Sequence, residues 1–297
     1  MVECKDIEAL KENRPTLLAV LAHPSDETFG MGGTLALYAH RGVAVHLVCA
    51  TRGEVGEMDE QYLRGYHSVG EAREAELRCA AEKLDLTGVH FLGYRDSGMP
   101  GSPDNQHPQA LAARPVDEVA AKILHYLRLF RPQVVLTFDP IGGYHHPDHV
   151  AVHQATVRAF SAVNDEAGIP SFPDDLPPYQ PDKLYFHTIS RRFLRLAVRV
   201  LPLVGEDPHK WGRNKDIDLV SLAVDDFPTQ AVIDYRSVRA LKEEASACHA
   251  SQGRARLSAG PVGWMLRLGG SKEAFMRAYP PAPPRHKERD LFEGINF

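Results

Sequence analysis

Short apolar runs alternate with helical stretches through the first half of the chain. The apolar runs predict buried β-strands at Leu17 to Ala22, Val43 to Ala50, Val89 to Leu92 and Val134 to Phe138. The intervening stretches predict helices at Gly30 to Arg41, Val69 to Leu86, Val116 to Phe130 and His149 to Val163. Strands without polar alternation are typical of a parallel sheet covered by helices. The predicted fold is therefore α/β, with a Rossmann-like, mostly parallel sheet and helices on both faces.

The second half of the chain is less regular. A proline-rich stretch from Gly168 to Asp182 predicts a loop. Further strands are predicted at Lys183 to His187 and Ala231 to Ile233, and a helix at Ser237 to His249. We expect one domain over residues 1–297. Residues 1–165 would form the Rossmann-like half, and residues 166–297 would complete the pocket.

Composition and charge narrow the class of protein. The 297 residues are 43% hydrophobic and 25% charged, which excludes a disordered, collagen-like or coiled-coil chain. The net charge of −5 argues against a nucleic-acid partner. No apolar run is long enough to span a bilayer, and the charged start does not resemble a signal peptide, so a cytoplasmic protein is predicted.

The four cysteines are scattered, without a CxxC motif. In an intracellular chain such cysteines are expected to be reduced thiols. Cys49 and Cys79 fall in a predicted strand and a predicted helix, where we expect them to be small core residues.

Two clusters of histidine and acidic residues follow two of the predicted strands. Ala22 to Glu27 reads AHPSDE, and Tyr144 to His149 reads YHHPDH. No G-x-G-x-x-G motif follows the first strand, and its absence disfavours a dinucleotide-binding site. The carboxyl ends of parallel strands meet at one edge, so the clusters are expected to converge. Each cluster alone has a simpler explanation, a loop histidine in the first and an N-cap aspartate in the second. Together they predict a catalytic zinc site with three protein ligands, His23, Asp26 and His149.

AHPSDE and HPDH closely resemble the paired motifs of the LmbE-like, PIG-L-type N-acetylglucosamine deacetylases. The resemblance covers most of the chain. It extends to TRGEVGE, REAEL, YRDSGM and an H-x-S-Q segment, at Thr51–Glu57, Arg73–Leu77, Tyr94–Met99 and His249–Gln252. The last two motifs are similar to the bacterial branch concerned with low-molecular-weight thiols. That branch includes mycothiol and bacillithiol deacetylases and the mycothiol-conjugate amidase.

The resemblance implies roles for individual residues. It implies zinc bound by the same three ligands. His146 would face the developing oxyanion or protonate the leaving amine, and Asp148 would orient that histidine. Tyr144 would help to polarise the carbonyl.

Substrate contacts are implied at Arg73 and Asp96. For Arg73 a helix-face ion pair with Glu74 or Glu76 is the alternative, and for Asp96 a turn position. Arg52, Glu54 and Glu57 lie beyond a predicted strand, where they are candidates for lining the pocket, while His153 is a candidate partner behind the site.

The sequence departs from the family pattern at two neighbouring positions. The family has an aspartate as general base where this chain has Ser25, and commonly a glycine where this chain has His145. Loss of a positioned base typically costs about 10²–10⁴-fold in rate. One hypothesis is that His145, or a water relayed through Ser25, replaces the base. The alternative is an impaired or non-catalytic site.

The predicted function is zinc-dependent hydrolysis of the N-acetyl amide of an N-acetylglucosaminyl conjugate, with malate or inositol as the aglycone. Only the resemblance supports this choice of sugar. Two alternatives stay open, an amidase that cleaves sugar–thiol conjugates and a non-catalytic, zinc-containing sugar-binding protein. Iron can occupy the same kind of ligand set. The expected partner is the small-molecule amino-sugar conjugate, and a homo-oligomer is left open.

Overall fold

A single seven-stranded sheet forms the centre of the molecule. The computed structural model describes residues 14–163, 169, 176–189, 191–210, 218–224, 227–252 and 270–296. The strands are β1 (Thr16–Leu21), β2 (Ala44–Cys49), β3 (Gly88–Phe91), β4 (Val134–Phe138), β5 (Lys183–Thr188), β6 (Ala231–Asp234) and β7 (Lys272–Tyr279). Their order is β3-β2-β1-β4-β5-β7-β6. The first five are parallel, and β7 runs antiparallel to both of its neighbours.

The fold class predicted from the apolar runs is confirmed. β1, β2 and β4 are buried along their whole length, as strands covered on both faces must be. β5, β6 and β7 come from beyond residue 165 and extend the same sheet.

Helices connect and cover the strands. They are α1 (Asp26–His40), α2 (Glu60–Leu63), α3 (Val69–Lys83), α4 (Val116–Phe130), α5 (Gly142–His145), α6 (Pro147–Ser161), α7 (Arg191–Val200), α8 (Leu219–Leu222) and α9 (Arg239–Cys248). Two helices begin earlier than expected. α1 starts at Asp26 rather than Gly30, and α6 starts at Pro147 because His146 caps it by accepting a hydrogen bond from the backbone N of Asp148. Both cluster motifs therefore lie at helix starts.

Helix α1 is interrupted one and a half turns after it begins. Met31 has φ −138°, outside the helical range. The carboxylate of Glu273, on β7, accepts hydrogen bonds from the backbone N of Gly33 at 3.0 Å and of Thr34 at 2.7 Å. Lys242 on α9 donates to the same carboxylate at 2.6 Å. A buried side chain from the far end of the chain thus satisfies the backbone groups at the interruption.

The strand order creates a switch point between β1 and β4. The chain leaves β1 toward β2 on one side, and β4 pairs with β1 on the other. The loops that leave the carboxyl ends of β1 and β4 consequently face each other, which is where ligands bind in open parallel sheets.

In the described part of the chain no helix is long and apolar enough to cross a membrane.

Two of the cysteines form a disulfide, which the sequence analysis did not predict. Cys79 on α3 and Cys248 at the end of α9 are bonded, with their Cα atoms 5.8 Å apart. The expectation of reduced thiols is wrong for this pair, and Cys79 is exposed rather than in the core. The reason lies in the tertiary packing of α3 on α9, which joins residues 169 positions apart. Cys49 is a free, buried cysteine, as expected.

Candidate active site

A cavity of about 390 Å³ opens at the carboxyl ends of β1 and β4. Its lining combines the two histidine clusters with residues from the loops after β2 and β3, from α3 and from the segment after α9. The lining residues are His23, Ser25, Asp26, Val55, Gly56, Glu57, Arg73, Asp96, Gly98, Met99, Ser102, Tyr144, His146 and Gln252. The predicted convergence of the clusters is observed.

Three donor atoms form a compact triangle at this cavity. Nδ1 of His23 lies 3.5 Å from Oδ2 of Asp26, and Nε2 of His149 lies 3.4 Å from the same oxygen. The two imidazole nitrogens are 3.3 Å apart. Ligands about 2.1 Å from a tetrahedral zinc ion lie about 3.4 Å from one another. The side chains present therefore fit a small divalent cation, with His23, Asp26 and His149 as ligands.

The outer nitrogens of both histidines are held by hydrogen bonds. Nδ1 of His149 lies 3.1 Å from the carbonyl oxygen of Gly142, and Nε2 of His23 lies 3.0 Å from Oδ2 of Asp148. Each contact assigns the proton to the outer nitrogen and leaves the inner nitrogen available to a metal ion. A backbone oxygen and a carboxylate thus orient the two imidazoles.

The charges around His23 favour a cation. Burial works to lower the pKa of His23, but the carboxylates, Asp96 first, raise it well above its ordinary value. For Asp26 burial opposes ionisation, yet His149 and His23 hold its pKa well below the usual range. Asp148 is fully buried beside them. Acidic groups gathered in a buried space require positive charge nearby.

Asp148 contacts a different histidine from the one expected. Its carboxylate accepts hydrogen bonds from His23 and from the backbone N (2.9 Å) and hydroxyl of Ser97. Its contact with His146 is made by its backbone N, which donates to Nδ1 at 3.2 Å. The implied role of Asp148 in orienting His146 through its carboxylate is not what the geometry shows, because the start of α6 turns that carboxylate toward β1.

His146 lines the cavity as a neutral hydrogen-bond donor. Because its Nδ1 accepts from a backbone N–H, its proton resides on Nε2. Burial, followed by the neighbouring His23 and His149, lowers the pKa of His146 to about 2. A neutral imidazole with Nε2–H suits a developing oxyanion.

Tyr144 lies at the cavity on an irregular stretch of α5. Gly143 has φ 69° and Tyr144 φ −131°, so these four residues do not form a regular helical turn. The ring of Tyr144 lies 5.0 Å from that of His149 and 5.8 Å from that of His146. Gly142 has φ 67°, and a Cβ there would lie 2.8 Å from Cβ of His149. Glycine at this position lets the loop pass close to His149.

Ser25 occupies a backbone conformation that side chains rarely adopt. Its φ is 99°, in the left-handed region, and it lines the cavity between His23 and Asp26. Its backbone N donates to Oε2 of Glu27 at 2.9 Å. The other oxygen of Glu27 lies 2.7 Å from Nε2 of His249. A fully buried carboxylate therefore fixes the position at which the family has its base.

His145 lies apart from the cavity. It is exposed and does not belong to the lining residues of the described chain. Its φ of 65° is one that glycine adopts most readily, which gives a backbone reason for glycine at this position in the family. The place of His145 outside the cavity lining argues against it as the replacement base.

The two residues implied to contact substrate both line the cavity. The guanidinium of Arg73 is buried and donates to the carbonyl oxygens of Gly53 at 3.0 Å and Pro24 at 2.7 Å. The alternative ion pair for Arg73 is not formed. Asp96 accepts from the backbone N of Gly98 at 2.8 Å and lies 3.5 Å from Nε2 of His23, so it is both a turn residue and a site residue.

The three residues after β2 that were predicted to line the pocket have different positions in the structure. Glu57 is a lining residue. Arg52 is exposed and pairs with Glu74. Glu54 accepts from the backbone N of Asp96 at 3.1 Å and so supports the cavity wall from behind. His153 donates toward the carbonyl oxygen of Phe138 at 2.9 Å and is a structural residue behind the site.

Sequence reasoning missed Glu27, Ser97 and Gln252 as members of the site. Glu27 and Gln252 belong to motifs that carried the family resemblance, so their presence in AHPSDE and H-x-S-Q was the available signal. Ser97 belongs to YRDSGM, another of these motifs, but its contact with Asp148, 51 residues away, had no local signal.

Comparisons with known proteins show which sequences and folds the chain resembles. The sequence profile of the PIG-L family, described as GlcNAc-PI de-N-acetylase, matches residues 18–160. A 1D-myo-inositol 2-acetamido-2-deoxy-alpha-D-glucopyranoside deacetylase from Geodermatophilus obscurus is 37% identical over 253 residues, which cover 80% of this chain and 82% of that protein. A protein of the same name from Kineococcus radiotolerans is 35% identical, and the match covers 99% of this chain and 86% of that one.

The solved structures that resemble the chain share its fold. N,N'-diacetylchitobiose deacetylase from Pyrococcus horikoshii superposes with a TM-score of 0.61 at 21% identity, covering 95% of this chain and 87% of that one. At this level of identity the likeness concerns the architecture alone.

Proposed function

Because the chain belongs to the PIG-L family of de-N-acetylases, we propose that it hydrolyses the N-acetyl amide of an N-acetylglucosaminyl conjugate of inositol. Water would cleave the amide to release acetate and leave the sugar amine. The inositol aglycone rests on the printed names of the relatives. A malate conjugate is the second substrate to be tested.

The donor triangle at the cavity is the observation that carries this proposal. Two imidazoles and a carboxylate, with mutual distances of 3.3–3.5 Å, meet where a substrate could enter. We propose that His23, Asp26 and His149 hold Zn²⁺, the ion to which this ligand set and spacing are suited. When bound, the ion supplies Lewis acidity that polarises a carbonyl and activates water.

The remaining side chains have roles set by their hydrogen bonds. His146 donates from Nε2 to the oxygen on which negative charge develops, and its neutral state at working pH follows from burial. Asp148 holds His23 in the tautomer that presents Nδ1 to the cavity. Tyr144 lies beside His146 and His149, and its hydroxyl supplies a second hydrogen-bond donor to the carbonyl oxygen.

Position 25 limits the rate. A serine hydroxyl can hold a water molecule but does not accept its proton near neutral pH. Since His145 lies outside the cavity, the hydroxyl of Ser25 is the nearer candidate for positioning the attacking water. We therefore propose a weak deacetylase whose missing base costs about 10²–10⁴-fold.

The same feature favours a second candidate, a metal-containing sugar-binding protein without turnover. The two candidates share the metal ligands and the cavity and differ only in whether the water loses its proton. Amidase action on sugar–thiol conjugates stays a prediction, as do cytoplasmic location and oligomeric state.

Acetate release from N-acetylglucosaminyl-inositol and N-acetylglucosaminyl-malate tests the proposal. Zinc-loaded protein is compared with its Ser25→Asp variant, and Ser25→Ala is the matched control that removes the hydroxyl without adding a base. Asp tolerates the left-handed conformation at least as well as Ser. We expect measurable release that rises by about 10²–10⁴-fold in Ser25→Asp. Saturable sugar binding without acetate release in Ser25 protein would favour the binding protein, and inactivity of all three would refute the deacetylase.

A further inference from the structure

Three contacts tie α3 to α9 and the segment after it. On α3 they are made by Glu76, Cys79 and Lys83, which lie three and four residues apart on one face of the helix. Glu76 accepts from the backbone N and the hydroxyl of Ser251, at 2.8 and 2.7 Å. Cys79 is bonded to Cys248. Nζ of Lys83 lies 3.4 Å from Oε2 of Glu244.

The middle contact is the only covalent one of the three. Lys83 and Glu244 are both about half exposed, so their ion pair contributes little. The Glu76–Ser251 contact consists of hydrogen bonds alone. Without the disulfide, the start of the segment His249 to Gln252 would be held to α3 by non-covalent interactions alone.

This segment reaches directly into the cavity. His249 follows Cys248, is fully buried and contacts Glu27, which in turn holds the backbone N of Ser25. Three residues later Gln252 lines the cavity, and its Nε2 donates to the hydroxyl of Ser251 at 2.7 Å. A short series of contacts thus connects the disulfide, through His249 and Glu27, to Ser25 in the cavity.

We propose that the Cys79–Cys248 disulfide is a redox-sensitive clasp that fixes the segment 249–252 against the cavity and so sets the catalytic rate. The effect on rate rests on the proposed deacetylase function. Cys79 is exposed, so a low-molecular-weight thiol can reach its sulfur. The reagent's thiolate bonds to Sγ of Cys79, the S–S bond breaks, and Cys248 leaves as a thiolate that takes a proton. A second reagent thiol displaces Cys79, so two reagent thiols become one disulfide while two protein thiols form.

Reduction without any mutation is the first arm of the test. The zinc-loaded Ser25→Asp variant, in a Cys4→Ser background, is equilibrated with graded ratios of reduced to oxidised dithiothreitol. Cys49 is buried, so labelling of the accessible thiols in the folded protein reports the redox state of the Cys79–Cys248 pair. Amide hydrogen exchange of residues 249–252 and kcat/KM for acetate release are followed together, with the metal content measured throughout.

On full reduction we expect exchange in residues 249–252 to rise at least tenfold, while β1 and β4 stay protected. We expect kcat/KM to fall at least fivefold and to recover on reoxidation. The double variant Cys79→Ser/Cys248→Ser should show the reduced behaviour at every ratio. Lys83→Gln, which removes only the exposed ion pair, is the matched control and should respond to thiols like the parent.

The outcomes separate the two proposals. Unchanged exchange in 249–252 after complete reduction would overturn the clasp, and so would an unchanged rate alongside raised exchange. If exchange rises on reduction but no variant releases acetate in either redox state, the segment is clasped and the deacetylase proposal is the one that fails.

Discussion

Nε2 of His23 lies 3.0 Å from Oδ2 of Asp148, on the side of the ring opposite the nitrogen that faces Asp26 and His149. The HPDH motif thus contributes His149 to the triangle and, through Asp148, fixes the orientation of a histidine from the other motif. The two motifs are coupled through a carboxylate–imidazole pair as well as through a shared cavity.

Asp148→Asn should weaken metal binding by about 10–100-fold, because the carboxylate that orients His23 and raises its basicity is lost. Competition with a chromophoric chelator measures the affinity. Asp117→Asn, at an exposed carboxylate paired with Arg158, is the control and should bind metal as the parent does. An unchanged affinity in Asp148→Asn would show that His23 does not need this partner.

His145→Gly should leave kcat/KM unchanged, because His145 is exposed and glycine adopts its positive φ with less strain. His146→Ala, one residue away, should lower kcat by about 10²–10³-fold through loss of the Nε2 donor. Acetate release by both variants in the Ser25→Asp background provides the measurement. A loss of activity in His145→Gly would support the hypothesis that His145 is the replacement base.

Acid should destabilise the fold through His46. This side chain is buried on β2 against the ring of Phe130, 3.9 Å away, and burial, with His90 and Arg14, lowers its pKa to about 3. The unfolded chain binds a proton at His46 below about pH 6.5 whereas the native protein does not, so stability is lost as the pH falls below that value. Between pH 7 and pH 5 this amounts to about 2 kcal/mol.

Urea unfolding at the two pH values checks the effect. In His46→Leu the difference in unfolding free energy between pH 7 and pH 5 should shrink by about 2 kcal/mol. His40→Gln, at an exposed histidine, serves as the control and should retain the parent's difference. An undiminished difference in His46→Leu would mean that other groups account for the acid sensitivity.

Glu288→Ala should cost about 3–5 kcal/mol of unfolding free energy, because it leaves a buried cation without its partner. The carboxylate of Glu288 accepts from Nζ of Lys183 at 2.9 Å and from the guanidinium of Arg277 at 2.7 Å, and all but a few per cent of Glu288 is buried. Lys183→Met/Glu288→Leu, which removes Glu288 together with its most buried cation, should cost less than the single variant. A single-variant loss below about 1 kcal/mol, the value typical of exposed pairs, would contradict this.

The parallel half of the sheet was predictable because its strands are apolar on both faces. β1, β2, β3 and β4 all overlap their predicted runs. β7 was not identified, since Lys272 to Tyr279 mixes charged and apolar residues in a strand that buries only two of its eight residues. Its pairing with β5 and β6 depends on tertiary contacts that the local sequence does not encode.

Within the site, the convergence of the donor residues could be predicted and their hydrogen-bond partners could not. His23, Asp26 and His149 follow from residue type and strand ends. The pairing of Asp148 with His23 depends on the direction in which α6 begins, and the disulfide depends on the packing of two helices whose cysteines are 169 residues apart. Local sequence identifies donor atoms, whereas packing decides which of them meet.

The contact of Glu273 with Gly33 and Thr34 also bears on how the protein is made. The carboxylate that completes α1 lies 240 positions after Gly33, so a nascent chain cannot close this interruption until Glu273 has left the ribosome. The turn that carries Asp26 belongs to the same helix. Synthesis from the N-terminus would thus deliver the loop after β1 early and its support only with β7, which makes the emergence of β7, rather than the formation of β1, the event that completes α1 and the turn carrying Asp26.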